Sequence, residues 1–415
     1  MNGRLRHGLL AAAAGTATAA LSLAGVGAAG PALAAGPVPA ARSAAAPRVT
    51  ARETQKQPPA TAYVANIYSD SVTPVDTATN EAGAPISLGG PPTLLAITPN
   101  GKTAYVAIAD GGAVIPISTA TNKAGPPTLG GPGPAAIAIT PNGKTAYVLD
   151  NNQLGNGDVG LGSVTPISTS TNVAGRPIQI GFDPTAIAIT PNGKTAYVTD
   201  VGPDFGPVGT ATAIDTATNI AGPPISVGGD PVALAITPNG KTVYVVNDDS
   251  GTVTPISTAT DKPGPPIPVG SSPQAIVITP NGKTAYVSSF SGLVTPINTA
   301  TNKPGKPITV SGTSAGDLAV TPDGTTVYVL SLQDFPGAGT VTAISTATNT
   351  VAASITVGDG PDALAITPNG TTVYVAVPGY LLEGSTVTPI STATNTAGPP
   401  ITVGTAPIAI AITPR

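Results

Sequence analysis

Side chains able to do chemistry are few in this chain. It has 415 residues and no Cys, which removes thiolate nucleophiles, disulfides and cysteine metal ligands. Its one histidine is His7, inside an N-terminal run that reads as a targeting segment, so the body has no imidazole for acid–base work. Carboxylates remain. Past the first 60 residues the only glutamates are Glu81 and Glu383. Aspartates gather in short polar stretches: Asp150 and Asp158 in one, Asp200 and Asp204 in another, Asp334 in a third. Asp150, Asn152, Asn156 and Asp158 make an oxygen-rich loop that could hold Ca²⁺, but without the spacing of a known calcium loop; a solvated loop is the plainer reading. Phe205, Phe335 and Tyr380 lie in similar stretches, either as contacts for a partner or as local caps. Two paired carboxylates could in principle hydrolyse a glycosidic bond, yet no Asp stands in a distinctive motif. Phosphate-binding glycine motifs, a nucleophile elbow and zinc signatures are absent.

Composition narrows the classes further. Charged residues are 9% of the chain and apolar residues 41%, so solubility rests on Thr, Ser, Asn, Gly and Pro rather than on ion pairs. Residues 1–60 carry six Lys/Arg and one acid, and the rest carries 11 Lys/Arg against 20 acids. A net negative body without basic clusters argues against nucleic acid as a partner.

Arg4, Arg6 and His7 precede an uncharged run, and Ala32-Leu33-Ala34 offers a small-x-small cleavage site. This is a signal-peptide pattern over residues 1–34, with an uncleaved anchor as the competing reading. Residues 35–60 are rich in Ala and Pro without periodicity and read as a flexible linker. The expected product is secreted or cell-surface, with no membrane attachment after cleavage.

The elements that must position any site are repeats. Thr-Pro-Asn-Gly-Lys-Thr-(Ala/Val)-Tyr-Val recurs, with its tyrosines at 63, 105, 147, 197, 244, 286, 328 and 374. Val-Thr-Pro-Ile-Ser-Thr-Ala-Thr-Asn follows, then Pro-Ile-x-Val-Gly, then Ala-(Ile/Leu)-Ala-Ile-Thr-Pro. Each is a short β-type run bounded by turn residues. Runs such as Ala-Ile-Ala-Ile are apolar on both faces, as in strands buried on both sides. Four strands per repeat, stacked face to face, predict an all-β propeller of four-stranded antiparallel blades. From the axis outward the strands are named a (Ala-Ile-Ala-Ile), b (the Tyr strand), c and d. The domain spans 61–415, starts at a strand b and ends at a strand a. The two ends therefore complete one shared blade, which gives eight; seven is the alternative.

At these residues the chain resembles the YVTN-repeat β-propeller family, also described as YncE-like. The matching segments are Tyr63-Val64-Ala65-Asn66, Tyr197-Val198-Thr199-Asp200 and Tyr244-Val245-Val246-Asn247, with the Pro-Asn-Gly turns and Pro322-Asp323-Gly324. The resemblance implies an extracytoplasmic protein, in some members a surface-layer or envelope component. Related propellers include lactonases and haem-containing reductases; the histidine ligands of the latter are missing here.

Insertions fall in the b–c connection. The count from the repeat Tyr to the Thr of strand c is 10 for Tyr63→Thr73 and Tyr244→Thr254, but 18 for Tyr147→Thr165, 15 for Tyr197→Thr212 and 14 for Tyr328→Thr342 and Tyr374→Thr388. Two neighbouring blades carry long loops, and so do the two opposite them. The expectation is a non-enzymatic scaffold that binds a protein partner or cell-envelope polymer on this face, through Asp150, Asp158, Asp200, Asp204, Phe205, Asp334, Phe335, Tyr380 and Glu383. Drift in tolerant loops is the plain alternative. A lactonase-like hydrolase using loop carboxylates and a divalent metal is the other.

Overall fold

A computed structural model describes residues 60–152, 160–202, 208–332, 338–379 and 384–414. The proposed signal peptide and nearly all of the linker lie outside these residues. Ala60, assigned to the linker, is already packed, and its carbonyl accepts the Thr77 hydroxyl at 2.6 Å.

Eight antiparallel sheets stand in a ring, each running a-b-c-d outward. Blade 1 is built from both chain ends. Its strand b is Thr61–Asn66 and its strand a is Pro407–Ile412, in the register Ala62↔Ile412, Tyr63↔Ala411 and Val64↔Ile410. The a strands touch one another all round the axis, and Pro407–Ile412 meets the a strands of both blade 8 (Ala363–Ile366) and blade 2 (Pro92–Ile97). The ring is closed, so inner strands leave no open sheet edge for other chains. Apart from two three-residue 3₁₀ turns, Ile67–Ser69 and Asp110–Gly112, the described residues contain no helix.

Turn chemistry fixes each blade. In seven a–b turns the Gly of Pro-(Asn/Asp)-Gly takes φ of 69° to 72°, the left-handed position that a side chain would strain. At the c–d turns Asn80, Asn122, Asn172, Asn219, Asp261, Asn302, Asn349 and Asn395 take φ of 51° to 60°. Asn and Asp tolerate this region better than other side chains.

The outermost strand is whole in only two blades, and the sequence explains which. Blade 4 has d intact over Ile220–Ser226 and blade 7 over Thr350–Gly358. In the other six, d breaks into two short pieces. In those six the middle of strand c is a proline, as at Pro74 and Pro255; blades 4 and 7 have Ala213 and Ala343 there. Proline has no N–H to give the ladder, so d detaches opposite it. One bond survives, from the Gly N–H in the gap to the proline carbonyl at 2.7 Å, as in Gly83→Pro74 and Gly264→Pro255.

Blades are held by packing and by one repeated latch. One apolar cluster fills each of the eight seams. At the closing seam Tyr374, Ala376 and Val387 of blade 8 pack on Ala62, Val64 and Val75 of blade 1. All eight repeat tyrosines are fully buried. Each hydroxyl donates to the left-handed Asn or Asp in the c–d turn of the next blade, at 2.5–2.7 Å. Tyr63 reaches Asn122, and the series ends with Tyr374 on Asn80. Burial raises these phenols, in Tyr63 and Tyr374 to about 12, so they stay protonated donors.

Candidate functional site

The b–c and d–a connections share one end of the ring, called here the upper face. The b–c loops run between Asp150 and Leu161 in blade 3, Asp200 and Thr210 in blade 4, Leu332 and Gly339 in blade 7, and Val377 and Thr386 in blade 8. With eight blades in the ring, blade 3 stands across from blade 7 and blade 4 from blade 8. Blades 1, 2, 5 and 6, with short loops, lie between the two pairs.

Of the residues singled out by sequence, the structure describes Asp150, Asn152 and Asp200. Asn156, Asp158, Asp204, Phe205, Asp334, Phe335, Tyr380 and Glu383 lie outside the described residues. Asp150 and Asp200 end strand b of neighbouring blades, at the place where Asn66 and Asn247 end theirs. All four are buried.

Their bonds are those of loop anchors. Asp150 Oδ1 accepts the backbone N–H of Gly133 at 2.7 Å and of Asn152 at 2.9 Å, which ties the start of the b–c loop to the d–a loop. Asn152 takes φ of 49°, and its amide lies 3.4 Å from the carbonyl of Leu161 across the loop. Asp200 Oδ2 accepts the Thr210 hydroxyl at 2.6 Å and bridges the two ends of the blade 4 loop. Burial raises the Asp200 carboxyl, while the bonds from Thr210 and the Gly202 N–H work in the opposite direction. Asn66 and Asn247 do the same work with amide donors, reaching Thr73 Oγ1 and Thr254 Oγ1 at 3.0 Å. Close approach to these carboxylates demands glycine: a Cβ on Gly131, in the d–a loop, would lie 2.2 Å from Asp150 Oδ2, and one on Gly181, at the end of strand d of blade 3, 2.1 Å from Asp200 Oδ1.

Further carboxylates crowd the same face. Asp183 and Asp230 take left-handed φ of 45° and 51° just before strand a of blades 4 and 5. Burial, then the charges of Asp248, Asp249 and Asp183, lift Asp230 to about 6. Across the ring Asp317 is buried at the seam between blades 7 and 8. It stands in strand a where blades 3 to 6 have Ala136, Ala186, Ala233 and Ala275. Its carboxylate accepts the Leu318 N–H at 2.8 Å and the N–H of Leu364 in the next blade. Burial raises it to about 7, with nearby Asp362 adding to the rise; Asp362 itself is raised to about 6 by burial. No described Lys or Arg lies in a b–c or d–a connection. Among the described residues no group of three or more His, Cys, Asp or Glu is arranged to hold a metal ion. The arrangement can therefore attract cationic groups, with carboxylates on two opposite arcs.

Solved structures share the architecture. Dihydro-heme d1 dehydrogenase NirN in complex with DHE is 14% identical, with a TM-score of 0.67, over 85% of this chain and 74% of that one. Apo AztD from Citrobacter koseri is 15% identical, with a TM-score of 0.64, over 85% and 97%. Kuenenia stuttgartiensis hydrazine synthase is 21% identical, with a TM-score of 0.54, over 80% and 92%. At these identities the likeness is one of fold. No protein-family model and no curated protein matches the sequence.

Proposed function

We propose that the protein is a YVTN-type propeller, secreted or held at the cell surface, that works by binding rather than by catalysis. Its upper face takes a protein partner or a cell-envelope polymer, and the groups it recognises are cationic. One observation carries this reading. The four lengthened loops share a face on which no described cation stands, and the buried carboxylates of Asp150 and Asp200 anchor two of them. A rigid ring that concentrates insertions at one end presents them as a binding surface. Carboxylates set among low-dielectric walls strengthen attraction for a cationic ligand.

A loop exchange tests it. Residues 201–209 are replaced by the four-residue loop of blade 5, Asp248 to Gly251, which already closes the same strand pair. Binding to purified secreted proteins and to cell envelopes stripped of phosphate polymers should fall at least tenfold, while the melting temperature stays unchanged. Undiminished binding would leave the loops as drift. A hydrolytic activity lost on chelation would replace the binding reading with a metal-dependent one.

A further inference from the structure

Cations in this ring are sorted to the side opposite the long loops. Lys102, Lys144, Lys194, Lys241 and Lys283 hold the same place in the a–b turns of blades 2 to 6, and all five are exposed. Each turn is secured by the lysine's backbone N–H on the Asn two residues earlier, at 2.9–3.0 Å. The turn geometry thus leaves the ammonium group unused. Lys123, Lys262 and Lys303 follow c–d turns on the same side; Arg176 and Lys306 stand in the gaps of strand d.

The acids on that side are fewer and partly engaged. Asp215 and Asp323 accept backbone N–H groups of their own turns, and Asp261 takes the Tyr197 hydroxyl. Asp76 and Glu81 belong to blade 1. Blades 7 and 8 have Thr325 and Thr371 where blades 2 to 6 have lysine. The result is an arc of positive charge over five blades, bounded by two blades without lysine and one acidic blade. Between the a–b turns of blades 5 and 6 the surface is grooved. The groove between blades 5 and 6 has a volume of about 500 Å³ and is lined by Thr237, Asn239, Lys241, Lys283 and Thr299, among others. The repeat places the same Thr, Asn and Lys at the seams of blades 2 to 5, with Asp215 where Asn298 stands at the seam of blades 3 and 4.

We propose that this arc is a track for a linear polyanion, a flexible polymer with repeated phosphate groups, engaged by one lysine per blade. A single exposed lysine contributes little against water and salt. Five in series act through effective concentration, so a polymer is held where a lone anion is not. The arc curves with the ring, which a flexible chain can follow and a stiff duplex cannot. None of the described exposed large apolar side chains belongs to an a–b turn; those on this side, Val173, Ile220 and Val351, stand beside the c–d turns of blades 3, 4 and 7.

The test uses poly(glycerol phosphate), with the full chain and its Lys144→Gln, Lys194→Gln, Lys241→Gln triple variant. Neutralising about five phosphates predicts a slope of log K on log salt near −3.5, or roughly a 100-fold loss between about 50 and about 200 mM salt. The triple variant should flatten that slope by about 2 and keep its melting temperature. Binding that the triple variant retains in full, equal competition by orthophosphate, or no binding at low salt would overturn the proposal. So would tighter binding of oligothymidylate or of phosphatidylglycerol vesicles. The loop-exchanged protein should hold the polymer as well as the wild type, so this proposal and the upper-face reading fail separately.

Discussion

The tyrosine latches invite a quantitative experiment, because one of the eight differs. Seven hydroxyls donate to an Asn amide oxygen, whereas Tyr197 donates to the carboxylate of Asp261 at 2.5 Å. Tyr→Phe deletes the hydroxyl and leaves the buried ring in its seam. The acceptors sit at turn tips, where Asn219 and Asp261 are exposed and can be rehydrated. No buried acceptor is orphaned, so the loss stays near the net value of one hydrogen bond. For Tyr147→Phe, whose partner is Asn219 at 2.7 Å, that is about 1 kcal/mol. For Tyr197→Phe it is about 2 kcal/mol, since a bond to an ionised acceptor is the stronger kind. Phe at Tyr63, Tyr147, Tyr244 and Tyr328 together should cost about 4 kcal/mol, because the four latches share no partners. The assay is urea unfolding at neutral pH, read by circular dichroism. Equal losses at Tyr147 and Tyr197, or no loss in the fourfold variant, would refute the latch and leave apolar packing as the whole of the blade-to-blade adhesion.

Other expectations concern the backbone and the buried acids. Asn219→Gly should lose only the latch, while Asn219→Ala should lose about 1 kcal/mol more, because Ala at φ of 57° is strained; equal losses in thermal melts would contradict this. Gly131→Ala should cost about 2–3 kcal/mol and weaken upper-face binding, since its Cβ would strike Asp150; a wild-type melt would show that the d–a loop yields freely. Asp317, raised to about 7, keeps its proton in the folded state at pH values where the unfolded chain has lost it. Its contribution is complete below about pH 4 and is lost as pH rises to about 7, by at most about 4 kcal/mol. Asp317→Asn should flatten melting temperature against pH over that window, and an unchanged profile would mean that Asp317 does not titrate there.

Much of the architecture can be read from the spacing of Tyr, Pro-Asn-Gly and Thr-Ala-Thr-Asn, because each turn is a local event decided by three or four residues. The blade count and the shared blade follow from which strand the chain starts and stops on. The latch does not follow, because Tyr147 and Asn219 are 72 residues apart and Asn already has a sufficient local role at its left-handed φ. The split outer strand has a sequence signal after all: Pro against Ala in the middle of strand c. Asp317 has one too, an acid in a column of alanines, visible once the a strands are aligned. Asp150 and Asp200 stand out as polar residues by sequence alone. That their carboxylates anchor loops is decided by the N–H of Gly133 and the hydroxyl of Thr210, which only the folded d–a and b–c connections bring near.

The opposed loop pairs, the acidic end and the lysine arc all presuppose that Pro407–Ile412 completes the first blade. A cysteine pair, Ala62→Cys with Ile412→Cys, measures this directly in a chain that has no other Cys. The two positions face each other in register. Mild oxidation should give a monomeric disulfide in nearly every molecule and raise the melting temperature, because the bond closes almost the entire domain into a loop. Free thiols, or dimers joined through the two engineered cysteines, would contradict a closed ring.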